Sequence, residues 1–173
     1  MYSSNIPHLH FNSSIFTHDL YDDITGVHDI ALVKLKRRRG SYINLDTEYV
    51  QPICLPSKQQ NFDQSNCEVS GWGSWSTNGV QDNGLSLMGQ SVNIDKICTS
   101  QNQGQICVGN PSATTQKDFT FDDGMPLSCK KGQNTFLRGL HAKKADPCQN
   151  GCPLMRFLET SAYLDWINAR LAL

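Results

Sequence analysis

Seven cysteines in a chain of 173 residues are the feature that most restricts what this protein can be. They are many for a protein of the reducing cytosol, and none lies in a Cys-x-x-Cys pair of the kind that binds zinc. We therefore expect an oxidising compartment and a secreted or extracellular protein. The first residues, from Met1 to Asn5, are polar and carry no visible secretory signal. For that reason we expect the true start of the chain to be missing.

Composition and charge exclude several classes of partner. The length suits one good-sized domain or two small ones, and a formal net charge of −1 gives no field of one sign, so we expect no nucleic acid partner. The basic run from Lys34 to Arg39 is interpreted as a solvated strand end. No apolar run approaches the roughly 20 residues of a membrane helix, so we expect no membrane partner. His8 and His10 lack a third ligand, and we expect no metal and no cofactor.

The segment that organises the chain is Phe121-Asp122-Asp123-Gly124-Met125-Pro126-Leu127-Ser128-Cys129. It resembles the nucleophile loop of chymotrypsin/trypsin-like serine proteases, Gly-Asp-Ser-Gly-Gly-Pro-Leu-Val-Cys. The residues shared with the family are Asp122, Gly124, Pro126, Leu127 and Cys129. Three others differ: Asp123 stands at the nucleophilic serine, Met125 at the second glycine of the following pair, and Phe121 at the oxyanion-hole glycine.

Three further segments resemble the same family in the expected order. His28–Leu35 is similar to the strand that carries the triad aspartate, which falls on Asp29. Cys67–Gly73 is similar to the start of the second barrel, and Tyr163–Ile167 to the terminal helix. The resemblance implies an all-β, trypsin-like double β-barrel in one truncated domain, 1–173. About 15–55 would be the remnant of the first barrel, and about 67–173 a complete second barrel with its C-terminal helix.

Two apolar patterns predict individual elements. Ser161 to Leu173 has a helical period with Leu164, Ile167 and Leu171 on one stripe, Ser161 as the N-cap and Asp165 in the first turn. Alternation between positions 85 and 97 predicts a half-buried strand. Its inward candidates are Leu85, Leu87, Val92, Ile94 and Ile97.

The catalytic residues implied by the resemblance are incomplete. Catalysis needs a hydroxyl nucleophile, a histidine base oriented by a carboxylate, and backbone donors facing the oxyanion. Asp29 is a remnant triad aspartate, but the upstream histidine segment has no match. His18, His28 and His141 do not lie in its context, and we assign the role of base to none of them. Asp123 would repel an oxyanion, and a bulky Phe121 resists the backbone shape of the glycine it replaces.

The substrate pocket implied by the family has also changed. The specificity position falls on Lys117, and the strand that pairs with substrate falls on Ala142, Lys143 and Lys144. Asp122 would lack the amino terminus that pairs with it in active family members. An unpaired buried carboxylate is unfavourable, so we expect a loose or zymogen-like loop around 118–124.

The family's cysteine pattern implies Cys67–Cys129 and Cys98–Cys107 disulfides. Cys148 and Cys152 would be left near each other, so a local bridge between them is open, since geometry decides it. The counterpart of Cys54 holds a light chain or pro-segment by a disulfide. We expect Cys54 to be free or to form an intermolecular bridge.

These residues predict a non-catalytic serine protease homologue, a protein-binding or regulatory remnant of a trypsin-like endopeptidase. Its partner would be a light chain or pro-segment bound through Cys54, or a component of a protease cascade. An active secreted serine endopeptidase is one alternative, because the fold alone would suggest it. A non-functional gene fragment is the other.

Overall fold

The protein is described by a computed structural model that covers residues 14–36, 40–41, 44–45, 47–62, 65–72, 76–77, 80–81, 87–95, 104–109, 123–142 and 154–172. Strands dominate this part of the chain, and one α-helix closes it. The strands are β1 (Ser14–Thr17), β2 (Ala31–Lys34), β3 (Asn66–Gly71), β4 (Ser76–Thr77), β5 (Val80–Gln81), β6 (Met88–Asp95), β7 (Gln105–Gly109), β8 (Pro126–Lys131), β9 (Asn134–His141) and β10 (Leu154–Glu159). A 3₁₀ turn at Thr160–Tyr163 leads directly into the helix α1, Leu164–Leu171.

Six of the strands form a closed barrel in the order β10-β7-β6-β3-β8-β9, with each neighbouring pair antiparallel. The pleat sends alternate side chains inward, so Cys67 and Val69 of β3 are buried while Glu68 between them is exposed. The interior of the barrel contains Ile106, Val108, Leu127 and Phe157, which are all 0% exposed. The predicted all-β class, with a barrel and a C-terminal helix, is confirmed.

Two glycines shape the hairpin of β8 and β9 and its contact with β10. Gly132 has φ +62° at the first position of a two-residue turn, as a type II′ turn requires. Gly139 lies where β9 approaches β10 closely, since a Cβ atom there would be 2.9 Å from the carbonyl oxygen of Leu158. The barrel closes at this point because the side chain is absent.

A second apolar cluster lies outside the barrel, under α1. It joins Ile30, Ala142, Leu158, Tyr163 and Ile167. Ile30 immediately precedes β2, which pairs only with β1 in a two-stranded sheet of the described residues. The segment around β1 and β2 is thus attached to the barrel through the end of β9, β10 and the terminal helix.

Some predicted details were wrong. Leu87 precedes β6 and is 62% exposed, because it is out of phase with the inward Val92 and the half-buried Ile94. Ser161 is not the N-cap of α1: it lies inside the 3₁₀ turn, and Tyr163 takes the cap position without a side-chain bond. Leu171 is exposed, while Leu164 and Ile167 are buried as predicted. Leu85 and Ile97 lie outside the described residues.

Candidate active-site region

The turn at Asp123 and Gly124 leads directly into β8 and is fixed to the end of β9. Gly124 has φ +77°, a conformation that favours glycine. Its backbone N–H donates to the carbonyl oxygen of His141 at 2.9 Å, and the N–H of His141 donates to the carbonyl oxygen of Met125 at 2.8 Å. These two bonds place the side chains of positions 123 and 141 beside each other.

Asp123 and His141 form a carboxylate–imidazole pair. Their Oδ1 and Nδ1 atoms are 4.0 Å apart, and the side chains are 55% and 13% exposed respectively. That separation is longer than a hydrogen bond, so the attraction between them is Coulombic and acts when the imidazole is protonated. The ring of His141 also meets the ring of Phe157 in an edge-to-face arrangement, with ring centroids 5.5 Å apart.

Met125 anchors the same turn in the barrel core. It is 6% exposed and belongs to the interior cluster. A Cβ atom on Gly71 would lie 2.9 Å from the Cε atom of Met125, so the methionine fills the space that this glycine leaves open. The residue at the family's second glycine is therefore a buried packing residue here.

The triad aspartate predicted from the resemblance lies on the segment before β2. Asp29 is half-buried and stands between His28 and the buried Ile30. Ile30 shares its apolar cluster with Ala142, the residue that follows His141. The fold thus brings the segment that carries Asp29 to the end of β9, and the last residue of β9, His141, is bonded to the turn of Asp123 and Gly124.

His28 faces the terminal helix region. Its Nδ1 atom is 3.2 Å from the hydroxyl oxygen of Tyr163. His28 also has φ +57°, a left-handed conformation that is uncommon for a residue with a side chain. Its neighbourhood includes the ring of His18, at a centroid distance of 4.5 Å.

His141 is the residue whose placement the sequence did not reveal. The β-bulge between Leu127 and Ser128 shifts the register of β8 against β9 and pairs Pro126 with Leu140. The next residue along β9, His141, therefore stands opposite the turn. A register shift of this kind leaves no signal in a single sequence.

The described cysteines differ in bonding and in exposure. Cys67 and Cys129 are joined by a disulfide across the paired strands β3 and β8, which is the pairing the resemblance implies. Cys54 is exposed with a free thiol, and its backbone is bonded to Thr135 and Leu137 of β9. Cys107 is buried in β7.

Several predicted residues lie outside the described part of the chain. They are Lys117, Phe121, Asp122, Lys143, Lys144, Cys98, Cys148 and Cys152. Of the substrate-pocket remnants only Ala142 is described, and it is buried, with its N–H donated to the carbonyl oxygen of Arg156 at 3.3 Å. Within the described residues no group of three or more metal-ligating side chains converges, and no helix is long and apolar enough to cross a bilayer.

Comparison with known proteins identifies the family. The family model described as Trypsin matches residues 3–167, nearly the whole chain. The chain belongs to the trypsin family of serine proteases. A solved structure described as "Structure of GrC" shares the fold with a TM-score of 0.65 at 24% identity, over 92% of this chain and 68% of that one.

Curated relatives of this trypsin-family chain include both enzymes and a protein named inactive. The inactive serine protease scarface of Drosophila melanogaster is 28% identical over 92% of this chain and 22% of its own length. The chymase of Canis lupus familiaris is 33% identical over 88% of this chain and 58% of its own length. The coagulation factor XII of Bos taurus is 27% identical over 90% of this chain and 27% of its own length. The chain thus spans between about a fifth and about three fifths of the length of these relatives.

Proposed function

We propose that this chain is a non-catalytic member of the trypsin family that acts by binding proteins. The observation that carries the proposal is the carboxylate of Asp123. It occupies the turn before β8, where the resemblance places the nucleophilic serine, and its partner across the turn is the imidazole of His141 at 4.0 Å.

A carboxylate at this place cannot substitute for a serine hydroxyl. Its attack on an amide would give an anhydride, and its negative charge would oppose the oxyanion that the transition state develops. Removing the nucleophile of another triad protease lowers turnover by about 10⁶. When the imidazole of His141 is protonated it attracts the carboxylate of Asp123, and position 123 offers it no hydroxyl from which to take a proton.

The resemblance to a relative named inactive agrees with this proposal. Scarface matches 92% of this chain at 28% identity. The protein-binding part of the proposal rests on the surface: among the described residues, twelve of the fifteen exposed large apolar side chains lie between positions 15 and 55. The concentration of exposed apolar side chains in one segment favours contact with another protein.

Cys54 supports a covalent form of such contact. Its thiol is free and exposed on the segment that runs along β9. A light chain, a pro-segment or a protease-cascade component could be attached there by an intermolecular disulfide. The Cys67–Cys129 disulfide fits an oxidising, secreted setting for this reaction. Peptide mapping without reduction of the protein from its natural source tests this, and a purely monomeric, reduced Cys54 would remove this part of the proposal.

An active endopeptidase is the second candidate. It is favoured by relatives named as proteases, such as the chymase at 33% identity, and by a histidine adjacent to the nucleophile position. The two candidates differ in their response to a fluorophosphonate probe, which reacts only with an activated hydroxyl.

The deciding experiment treats the full chain with a fluorophosphonate probe and a mixed peptide library. An active trypsin-like protease serves as the positive control, and the same protease inactivated beforehand as the blank. We expect neither labelling nor cleavage above the blank. Stoichiometric labelling of one residue, together with cleavage that the probe abolishes, would establish the endopeptidase and overturn the non-catalytic proposal.

A further inference from the structure

Two histidines stack on each other where the β1–β2 segment meets the terminal helix. The rings of His18 and His28 are 4.5 Å apart and nearly parallel, at 16°. The backbone holds them there, because the N–H of His18 donates to the carbonyl oxygen of Ile30 at 3.1 Å. His18 directly follows β1, and His28 lies two residues before Ile30.

Tyr163 and Trp166 complete the contact from the opposite side. The hydroxyl of Tyr163 lies 3.2 Å from Nδ1 of His28, and its ring meets both imidazoles edge-on. The Trp166 ring is 5.1 Å from that of His18. We call these four residues the histidine clasp. Ile30 of the β1–β2 segment belongs to the same apolar cluster as Leu158, Ile167 and the clasp residue Tyr163.

The charges around the clasp are few among the described residues. Asp19 and Arg170 form an ion pair at 2.5 Å beside His18, and Asp29 follows His28 in the chain. Burial of the ring and the neighbouring His28 and Arg170 lower the pKa of His18 from its ordinary value of 6.5, while Asp19 raises it. Burial raises the pKa of Tyr163, so its hydroxyl stays protonated near neutral pH.

The geometry points to an acid-sensitive catch: the histidine clasp holds residues 14–36 against the terminal helix near neutral pH and releases them as the pH falls. Two protonated imidazoles in stacked contact repel each other, and a protonated ring also gains by leaving its half-buried position for water. The neutral pair has neither penalty. Acidification therefore favours the open form, in which Ile30, Leu158 and Ile167 lose their mutual cover.

The direction in which pH changes the stability of the clasp follows from the linkage between proton binding and opening. A lowered pKa means that the closed form of His18 binds its proton more weakly than the open form. The resulting stabilisation of the clasp is complete above the ordinary value of 6.5 and is lost as the pH falls through 6.5 and the lower pKa of the closed form. Asp19 and Arg170 act on the pKa of His18 in opposite senses, and with burial and His28 included the pKa is lowered.

The test uses the full chain and a matched variant, His28→Asn. Asparagine tolerates the left-handed backbone of position 28 and removes the stacked imidazole. The imidazole Cε1–H signals in NMR report the protonation of each histidine. Amide hydrogen exchange at His18 and in α1 reports opening of the clasp between about pH 7 and about pH 5, a range centred near the reference histidine pKa. His141→Gln is the control, since His141 lies on β9 and outside the clasp.

We expect His18 to protonate below its ordinary pKa in the wild type and at a higher pH in His28→Asn. The opening constant of the clasp, corrected for intrinsic exchange, should rise on acidification in the wild type and in His141→Gln, and less so in His28→Asn. The wild-type measurements decide the matter even if the variant does not fold. A His18 that titrates at its ordinary value, or an opening constant that is independent of pH, would overturn the catch.

Discussion

Replacing the carboxylate of Asp123 by a hydroxyl tests whether this residue alone prevents catalysis. We expect Asp123→Ser to restore neither fluorophosphonate labelling nor peptide cleavage, because a serine without a matched base stays a weak nucleophile. The family's histidine segment has no match in this sequence, and the resemblance predicts that Phe121 and Lys117 would still disfavour oxyanion binding and substrate binding. Labelling and cleavage are measured on the wild type, Asp123→Ser and the charge-only control Asp123→Asn.

Turnover from Asp123→Ser would show that a histidine already present serves as base. His141, whose Nδ1 is 4.0 Å from the present Oδ1 of Asp123, is the residue to test. If His141→Gln in the Asp123→Ser background then abolished the new activity, His141 would be the base. Asp123 would then be the only residue that keeps the wild-type chain inactive. The second possible base, His28, faces Tyr163.

A second residue-scale prediction concerns Gly139. A Cβ atom there would lie 2.9 Å from a backbone oxygen and 3.0 Å from Cβ of Phe157, neither of which can move freely. We expect Gly139→Ala to lower the free energy of unfolding by about 1–3 kcal/mol, as overpacking does. Gly89→Ala is the matched strand control, since its Cβ would be 3.7 Å from Glu68 and in ordinary contact. Urea unfolding of both variants compares them, and equal midpoints would contradict the argument.

At the scale of elements, the sequence predicts strands and helices that have a local motif or an apolar period. It does not predict contacts that depend on the register between paired strands. The motif around Asp123 and the apolar period of α1 identify a barrel strand and a terminal helix, because each pattern is local. The meeting of Asp123 with His141 depends on a bulge at Leu127 and Ser128, which only the paired strands define. The start of α1 was misplaced because the chain makes a 3₁₀ turn first, so Ser161 does not cap it.

The disulfide between β3 and β8 gives the element-scale prediction. It closes a loop with a sequence separation of 62 residues. In the chain-entropy account, losing such a bridge lowers the free energy of unfolding by about 4 kcal/mol. We therefore expect the Cys67→Ala/Cys129→Ala double variant to shift the urea midpoint strongly downward, while Cys54→Ala leaves it unchanged because that thiol is free. A double variant as stable as the wild type would show that the bridge does not stabilise the barrel.

At the scale of the whole molecule, stability is distributed unevenly between two parts. The barrel strands are paired on both edges around side chains such as Ile106, Leu127 and Phe157 that are fully buried. The described sheet of β1 and β2 has two strands, and its cross-strand pair Ile15 and Val33 is 66% and 54% exposed. A two-stranded sheet is only marginally stable in water without further packing.

We accordingly expect hydrogen exchange in the monomer to be fast across β1 and β2 and slow in β3, β7 and β8. Ile30 and the clasp residues His18 and His28 tether the segment to the barrel, so its exchange should become slower as the pH is raised toward neutrality, once intrinsic rates are corrected. The apolar surface between positions 15 and 55 should also promote association, which size-exclusion chromatography at increasing protein concentration detects. Strong, uniform protection across β1, β2 and the barrel of a monomer would mean that the closed barrel and the β1–β2 segment form one cooperative unit. The fold would then be stable without a partner that covers the exposed apolar residues.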